Sequence, residues 1–244
     1  MESHNSDERL KALETDGYCI LPDSFDSSQA AEYGRTLERV YALQRREFGP
    51  ERLNAIGELG LARAPLSYDP GLLDVALNPS VLTYVQNSIA GGTAVLHSQN
   101  GFLYRLKGSP KDSTWHRGSP LKDHDAVTSK PIAICASFFI DDVFADPCMH
   151  VLPGSHKDEE KHSTSFVERR QIPIHVARGT VILLDAMLFR RWSPGEVSQL
   201  VRVIENTYTI PAIAAEIDFS EAPHVQARRN NDPLAHRILD FRRI

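Results

Sequence analysis

The first stretch equipped for chemistry is Trp115-His116-Arg117-Gly118. An imidazole titrates near neutrality and also ligates metals, so His116 could move a proton or hold a cation. A second cluster, Arg190-Arg191-Trp192, follows shortly after Asp185. Guanidinium forks grip carboxylate or phosphate with two bonds at once, so Arg190 and Arg191, with Arg105 and Arg202, point to an anionic ligand. A buried arginine needs a partner, which Glu205, Asp185 or a bound anion could supply. In such a site His116 acts as general acid or base and Arg190 stabilises developing negative charge, while Tyr104, Asp185 or Tyr208 orients the substrate. Trp115, Trp192, Phe102 and Phe189 flank these positions and would form an apolar wall. The plainer alternative makes these aromatics ordinary core and has Arg190 closing a salt bridge across the space it fills. His97, His124, His150 and His156, with Asp123 and Asp125, add further donor groups, and whether His124, His150 or His156 builds a metal site stays open.

The elements that must position these groups follow from periodicity. A polar segment at 1–8 leads into a short helix over 10–13, a turn at Asp16-Gly17 and a strand over 18–21. Asp26 or Ser27 caps a helix whose apolar residues Ala30, Tyr33, Leu37, Val40 and Tyr41 recur at helical spacing. Residues 49–71, rich in Gly and Pro, read as loop with short helical pieces. A second helix runs from Pro79 to Ile89 and stops at Gly91-Gly92. Strands follow at 94–96, 102–106, 132–140, 149–152, 172–176, 181–184 and 201–210, each β-branched or aromatic-rich and bounded by turn residues. Helices first and strands afterwards predict one domain over 1–218, a helical layer (8–90) packed on a sandwich or barrel (93–213). The tail 219–244, with Arg228, Arg229, Arg237, Arg242 and Arg243 and a terminal helix over 234–241, reads as a solvated surface.

Composition sets the outer bounds. Among 244 residues, 41% are hydrophobic and 24% charged, enough apolar material for a sizeable core. A net charge of −5 gives no electrostatic reason to expect nucleic acid. No apolar run is long enough to span a bilayer, and no basic, apolar leader stands at the start, so a cytoplasmic protein is expected. Cys19, Cys135 and Cys148 are widely spaced and read as buried thiols in a reducing compartment.

Seven blocks occur in a characteristic order: Trp115-His116-Arg117, Lys130-Pro131-Ile132, Phe139-Ile140-Asp141-Asp142-Val143, Val151-Leu152-Pro153-Gly154-Ser155-His156-Lys157, Gly179-Thr180-Val181, Leu184-Asp185-Ala186-Met187-Leu188-Phe189 and Tyr208-Thr209-Ile210-Pro211. Together they resemble the phytanoyl-CoA dioxygenase family of iron(II)- and 2-oxoglutarate-dependent oxygenases. The resemblance implies a mainly β fold with N-terminal helices, a double-stranded β-helix or cupin-like jelly roll. It also implies where the family's iron ligands fall. The first histidine is His116, the carboxylate position is Gly118, and the second histidine position is Arg190. The arginine that grips 2-oxoglutarate falls on Val201, with Arg202 beside it. Strand neighbours face opposite ways, so Arg202 serves only if the register slips by one.

Halogenases of this superfamily look like His-x-Gly at the first motif but keep the second histidine. Arg190 has no lone pair to offer, and two positive centres about 4 Å apart repel by about 4 kcal/mol at an effective dielectric near 20. The expectation is therefore a metal-independent role without iron or 2-oxoglutarate. It would be a non-oxidative isomerisation, cyclisation or elimination of a small anionic metabolite in a specialised pathway. Two alternatives stay open: a non-catalytic partner subunit of an active oxygenase, and an Fe(II)/2-oxoglutarate oxygenase or halogenase with a rearranged metal site. Homo- or heterodimers are compatible with each.

Overall fold

Strand alternation sorts the barrel's side chains into two cores. In the computed structural model, which describes residues 2–104, 114–118, 128–158, 163–193 and 200–240, nine strands form two antiparallel sheets. They are β1 (Tyr18–Leu21), β2 (Leu61–Arg63), β3 (Val95–Tyr104), β4 (Ala133–Phe139), β5 (Met149–Val151), β6 (Ile172–Ile174), β7 (Val181–Asp185), β8 (Arg190–Trp192) and β9 (Val201–Thr209). The major sheet has the order β1-β7-β4-β9-β3-β2 and the minor sheet β6-β5-β8. On β4, Ala133, Cys135 and Phe139 face the minor sheet, whereas Ile134, Ala136 and Phe138 face the opposite way. The same period of two runs through β9, where Val201 and Val203 point inward and Ile204 and Tyr208 outward.

Helices cover the outward face. They are α1 (Glu2–Asp16), α2 (Ser27–Phe48), α3 (Pro50–Ala55), α4 (Leu73–Ala76), α5 (Pro79–Ser88), α6 (Thr164–Arg170), α7 (Pro223–Asn231) and α8 (Pro233–Ile238). The start of α2 is fixed by a reciprocal cap. Asp26 Oδ1 accepts from the Gln29 amide at 2.8 Å and Gln29 Oε1 accepts from the Asp26 amide at 2.9 Å. Asn78 caps α5 through the Val81 amide at 3.1 Å. Leu37 of α2 sits where a side chain at Gly101 of β3 would stand, so that glycine sets how closely helix and sheet approach.

Several expectations change here. The first helix spans Glu2–Asp16 and not just 10–13, held at its C-terminal end by fully buried Leu13, whose carbonyl accepts from the Gly17 amide. The strands expected at 94–96 and 102–106 are one strand, β3. Its central His-Ser-Gln-Asn-Gly has little strand propensity but is held by β9 along one edge, with one register shift between Leu96 and Ser98, and Asn100 and Gly101 also pair with β2. The short strands β2 and β8 went unpredicted, because three residues give no alternation to read. The tail is not a solvated surface. Phe219, Val225, Ile238 and Leu239 are buried in the core between helices and major sheet, while Arg228 and Arg229 pair with Asp232 and Asp240 at its rim. Among the described residues no helix is long and apolar enough to cross a membrane.

Candidate functional site

His116 enters the barrel through a single antiparallel bridge. Its amide donates to the Arg190 carbonyl and the Arg190 amide to its own, both at 3.0 Å. That pairing sets the start of β8 beside the Trp-His-Arg-Gly stretch and brings the residues expected to act together within one small space. A cavity of about 40 Å³ is lined by Phe102, Tyr104, His116, Arg190, Trp192 and Glu205, among others. Phe102 stacks on Tyr104 (5.7 Å between ring centres, 6° between planes), and Tyr104 packs on Trp192 at 4.0 Å.

Arg190 fills the centre. Its Nη2 donates to Glu205 Oε1 at 2.8 Å and to Cys135 Sγ at 3.6 Å, with the side chain 9% exposed. Burial opposes the guanidinium's charge, but Glu205, Cys135 and Tyr104 together outweigh it, so its pKa is raised above the ordinary arginine value. Burial in turn pushes the Cys135 thiol up to about 11, against the pull of Arg190. Glu205 also accepts from the Ser137 hydroxyl at 2.9 Å. Arg190 Nη1 is buried without a hydrogen-bond partner. A Cβ at position 118 would lie 2.6 Å from Arg190 Nη2 and 3.1 Å from Cys135 Sγ, so the guanidinium takes the room that a side chain at Gly118 would need. Of the three positions that the resemblance assigns to iron ligands, His116 presents an imidazole, Gly118 no side chain and Arg190 a paired cation.

Other predicted residues fall elsewhere, for one shared reason. Arg202 and Tyr208 have even numbers on β9, which is the helix-facing parity, and the register does not slip between Val201 and Tyr104. Arg202 grips Asp141 (Nη2–Oδ1 2.7 Å, Nε–Oδ2 2.8 Å) and reaches Glu38 of α2 at 3.0 Å. Tyr208 is fully buried and donates to the Ala76 carbonyl at 2.9 Å. Asp185 ends β7 on the outward parity, accepting from the Met187 amide at 2.8 Å. Burial raises its carboxyl pKa, opposed by that bond and by His156 and Arg117. None of the three reaches the cavity, and assigning them to the substrate is corrected accordingly. Trp115 also faces away from the cavity, stacked by Arg191 at 5.0 Å. Both line a second cavity of about 360 Å³ beneath α6, with Leu152, Val167, Gln171 and Phe189. His156 ties the Pro-Gly-Ser-His turn to α1 through the Glu14 carbonyl at 3.1 Å. Arg105, Asp123, His124 and Asp125 lie outside the described residues.

Glu205 was named only as a partner for Arg190, yet it is central. The signal was in the sequence: odd positions 201, 203 and 205 share one face, and a carboxylate on that face must meet a cation.

Comparison with known proteins accords with this geometry. The family model described as phytanoyl-CoA dioxygenase (PhyH) matches residues 13–190. Uncharacterized proteins of Mycobacterium tuberculosis and Mycobacterium bovis are each 30% identical over 226 residues, covering 88% of this chain and 80% of theirs. Among solved structures, the α-ketoglutarate-dependent epimerase SnoN of nogalamycin biosynthesis superposes with a TM-score of 0.66 at 15% identity, covering 91% of both chains. HygX of Streptomyces hygroscopicus, with nickel and 2-oxoglutarate bound, gives 0.65 at 18% identity over 85% of this chain and 88% of that one. Both share the jelly-roll fold of the present chain.

Proposed function

The chain belongs to the phytanoyl-CoA dioxygenase family, and from that premise we propose that its barrel works without the family's iron and 2-oxoglutarate. Its role is a non-oxidative, metal-independent conversion of a small anionic metabolite. The observation that carries this reading is the Arg190–Glu205 pair standing at the second histidine position. The residues at the three ligand positions do not fit a ferrous ion. A fixed guanidinium repels it, Gly118 supplies no oxygen, and one imidazole is too few donors. The space left beside Arg190 is about 40 Å³. No step is therefore routed through either group.

In this reading His116 is the proton-transfer group, since among the described residues lining the cavity it is the one imidazole. Arg190 and Arg191 border the same cavity and supply positive potential for the substrate's anionic end. Tyr104 and Trp192 form its apolar side. The small volume favours a second reading as well, in which the chain is a non-catalytic partner of an active oxygenase and the Arg190–Glu205 pair is a structural plug.

The test is turnover of 2-oxoglutarate to succinate by the purified chain supplied with iron(II), ascorbate and oxygen. No succinate above the protein-free rate is expected, and stoichiometric, His116-dependent succinate would overturn the proposal. A His116→Ala variant then separates the two readings. It abolishes conversion if the chain is a proton-transfer enzyme and leaves complex formation with an oxygenase subunit intact if it is a partner.

A further inference from the structure

Outside the barrel, Asp146, Cys148 and His150 gather three different donor atoms at one point, all within 4.8 Å of one another. We infer that they form a zinc(II) site at the start of β5, separate from the barrel cavity and independent of the function proposed above.

The placement follows from strand parity. His150 follows Met149, whose side chain lines the barrel cavity, so it turns to the opposite face of β5, while Cys148 precedes the strand and is fully buried against the core between the sheets. Two edges of the donor triangle are short: Cys148 Sγ to Asp146 Oδ1 is 3.2 Å, and His150 Nε2 to the same oxygen is 3.1 Å. Donors held about 2.0–2.3 Å from a tetrahedral zinc stand about 3.3–3.6 Å apart, so these two edges need adjustments of only a few tenths of an ångström, and the third lies within 4.8 Å.

The hydrogen bonds around His150 supply an independent argument. Arg191 Nη2 donates to Gln171 Oε1 at 3.0 Å, and a guanidinium can only donate, which fixes that oxygen as an acceptor. His150 Nδ1 lies 3.0 Å from the same oxygen and must carry its proton there. On a neutral imidazole Nε2 is then a bare lone pair, and it faces a carboxylate oxygen. Two acceptors so close require a cation between them. A second proton on Nε2 would close a bond to Asp146 Oδ1, to which the Cys148 thiol also donates, whereas one metal ion would take the place of both protons. An orienting acceptor on the far nitrogen is the usual outer support of a histidine ligand.

Further groups suit the assignment. Ser193 Oγ lies 2.8 Å from Asp146 Oδ1 and can complete the sphere or orient a water. The Asp146 side chain is 61% exposed, giving the ion a way in from solvent. On binding, the Cys148 S–H proton is released to solvent and the sulfur–zinc bond replaces the S–H bond; nothing is oxidised. Because Ser193 follows β8 and Cys148 precedes β5, the ion would clamp these strand ends together behind Met149 and Trp192.

The full chain, stripped of metal with a chelator, should take up one zinc per chain in competition with a chromophoric indicator. Cobalt(II) should give a thiolate-to-cobalt charge-transfer band in the near ultraviolet. Cys148→Ser should abolish the band, and His150→Ala should abolish stoichiometric uptake. Gln171→Ala, which removes only the orienting acceptor, should weaken binding about 10–100-fold. His116→Ala should leave uptake unchanged. The inference is overturned if wild-type chain takes up no zinc, if uptake survives in the Cys148→Ser/His150→Ala double variant, or if uptake depends on His116. Should Cys148→Ser fail to fold, the cobalt spectrum of the wild type decides, and absence of the thiolate band overturns the assignment.

Discussion

Gly118 and Arg190 constrain each other as directly as two bonded atoms do. A Cβ at 118 would press on Arg190 Nη2 at 2.6 Å, so Gly118→Asp alone should cost about 1–3 kcal/mol of stability through overpacking. Combined with Arg190→His the steric part should disappear, and a double-mutant cycle by urea denaturation would measure a coupling of about 1 kcal/mol or more. Glu205 tests the ion pair itself. Glu205→Ala leaves a buried guanidinium without its carboxylate and should cost about 3–5 kcal/mol, whereas Arg190→Met with Glu205→Leu should cost much less. The thiols behave in the same electrostatic setting. Burial pushes Cys19 up to about 12 and Cys135 up to about 11, above a free thiol near about 8.5. The folded state thus favours the protonated form, so this contribution is whole below the free-thiol value and is lost as pH rises toward 11–12. In the native chain neither thiol should react with a thiol reagent at neutral pH, and thiolate absorbance from Cys135 should appear only near about 11 or on unfolding.

Strand parity is the element-level rule that decides which residues meet. β9 sends Val201, Val203 and Glu205 inward and Arg202, Asn206 and Tyr208 toward the helices, where Asn206 Nδ2 donates to the Val75 carbonyl at 3.0 Å. Arg202→Met should therefore disturb the α2 contact through Glu38 and Asp141 but leave ligand binding at His116 untouched, a split visible by comparing melting temperature with ligand-induced shift. Parity also explains how far the sequence could be read. The two capped helices and the β-rich second half were legible, because runs such as Val181-Ile182-Leu183-Leu184 carry their own signal, and the jelly-roll order followed from the resemblance of the ordered blocks. The inward-facing triplet of β9 was legible in principle too, yet Tyr208 and Arg202 were grouped with the site on residue type. Residue type carries no direction; only register does. β2 and β8 were invisible for a different reason, being strands that exist through their partners' hydrogen bonds and not through their own propensity.

At the scale of the whole molecule, the C-terminal segment closes the helical core. Phe219, Val225, Ile238 and Leu239 are at most 1% exposed, and burying each contributes about 1.5–3 kcal/mol. Their sum rivals the total stability of a typical domain. Truncation after residue 218 should therefore yield a chain that binds a hydrophobic dye and melts without a cooperative transition in calorimetry, where a merely decorative tail would leave the melt unchanged. The same economy of space governs the barrel centre. Replacing Gly118 first meets the guanidinium; replacing Arg190 first leaves the Glu205 carboxylate without its partner cation. Each single substitution passes through a weakened protein, so the two positions can be changed at low cost only together.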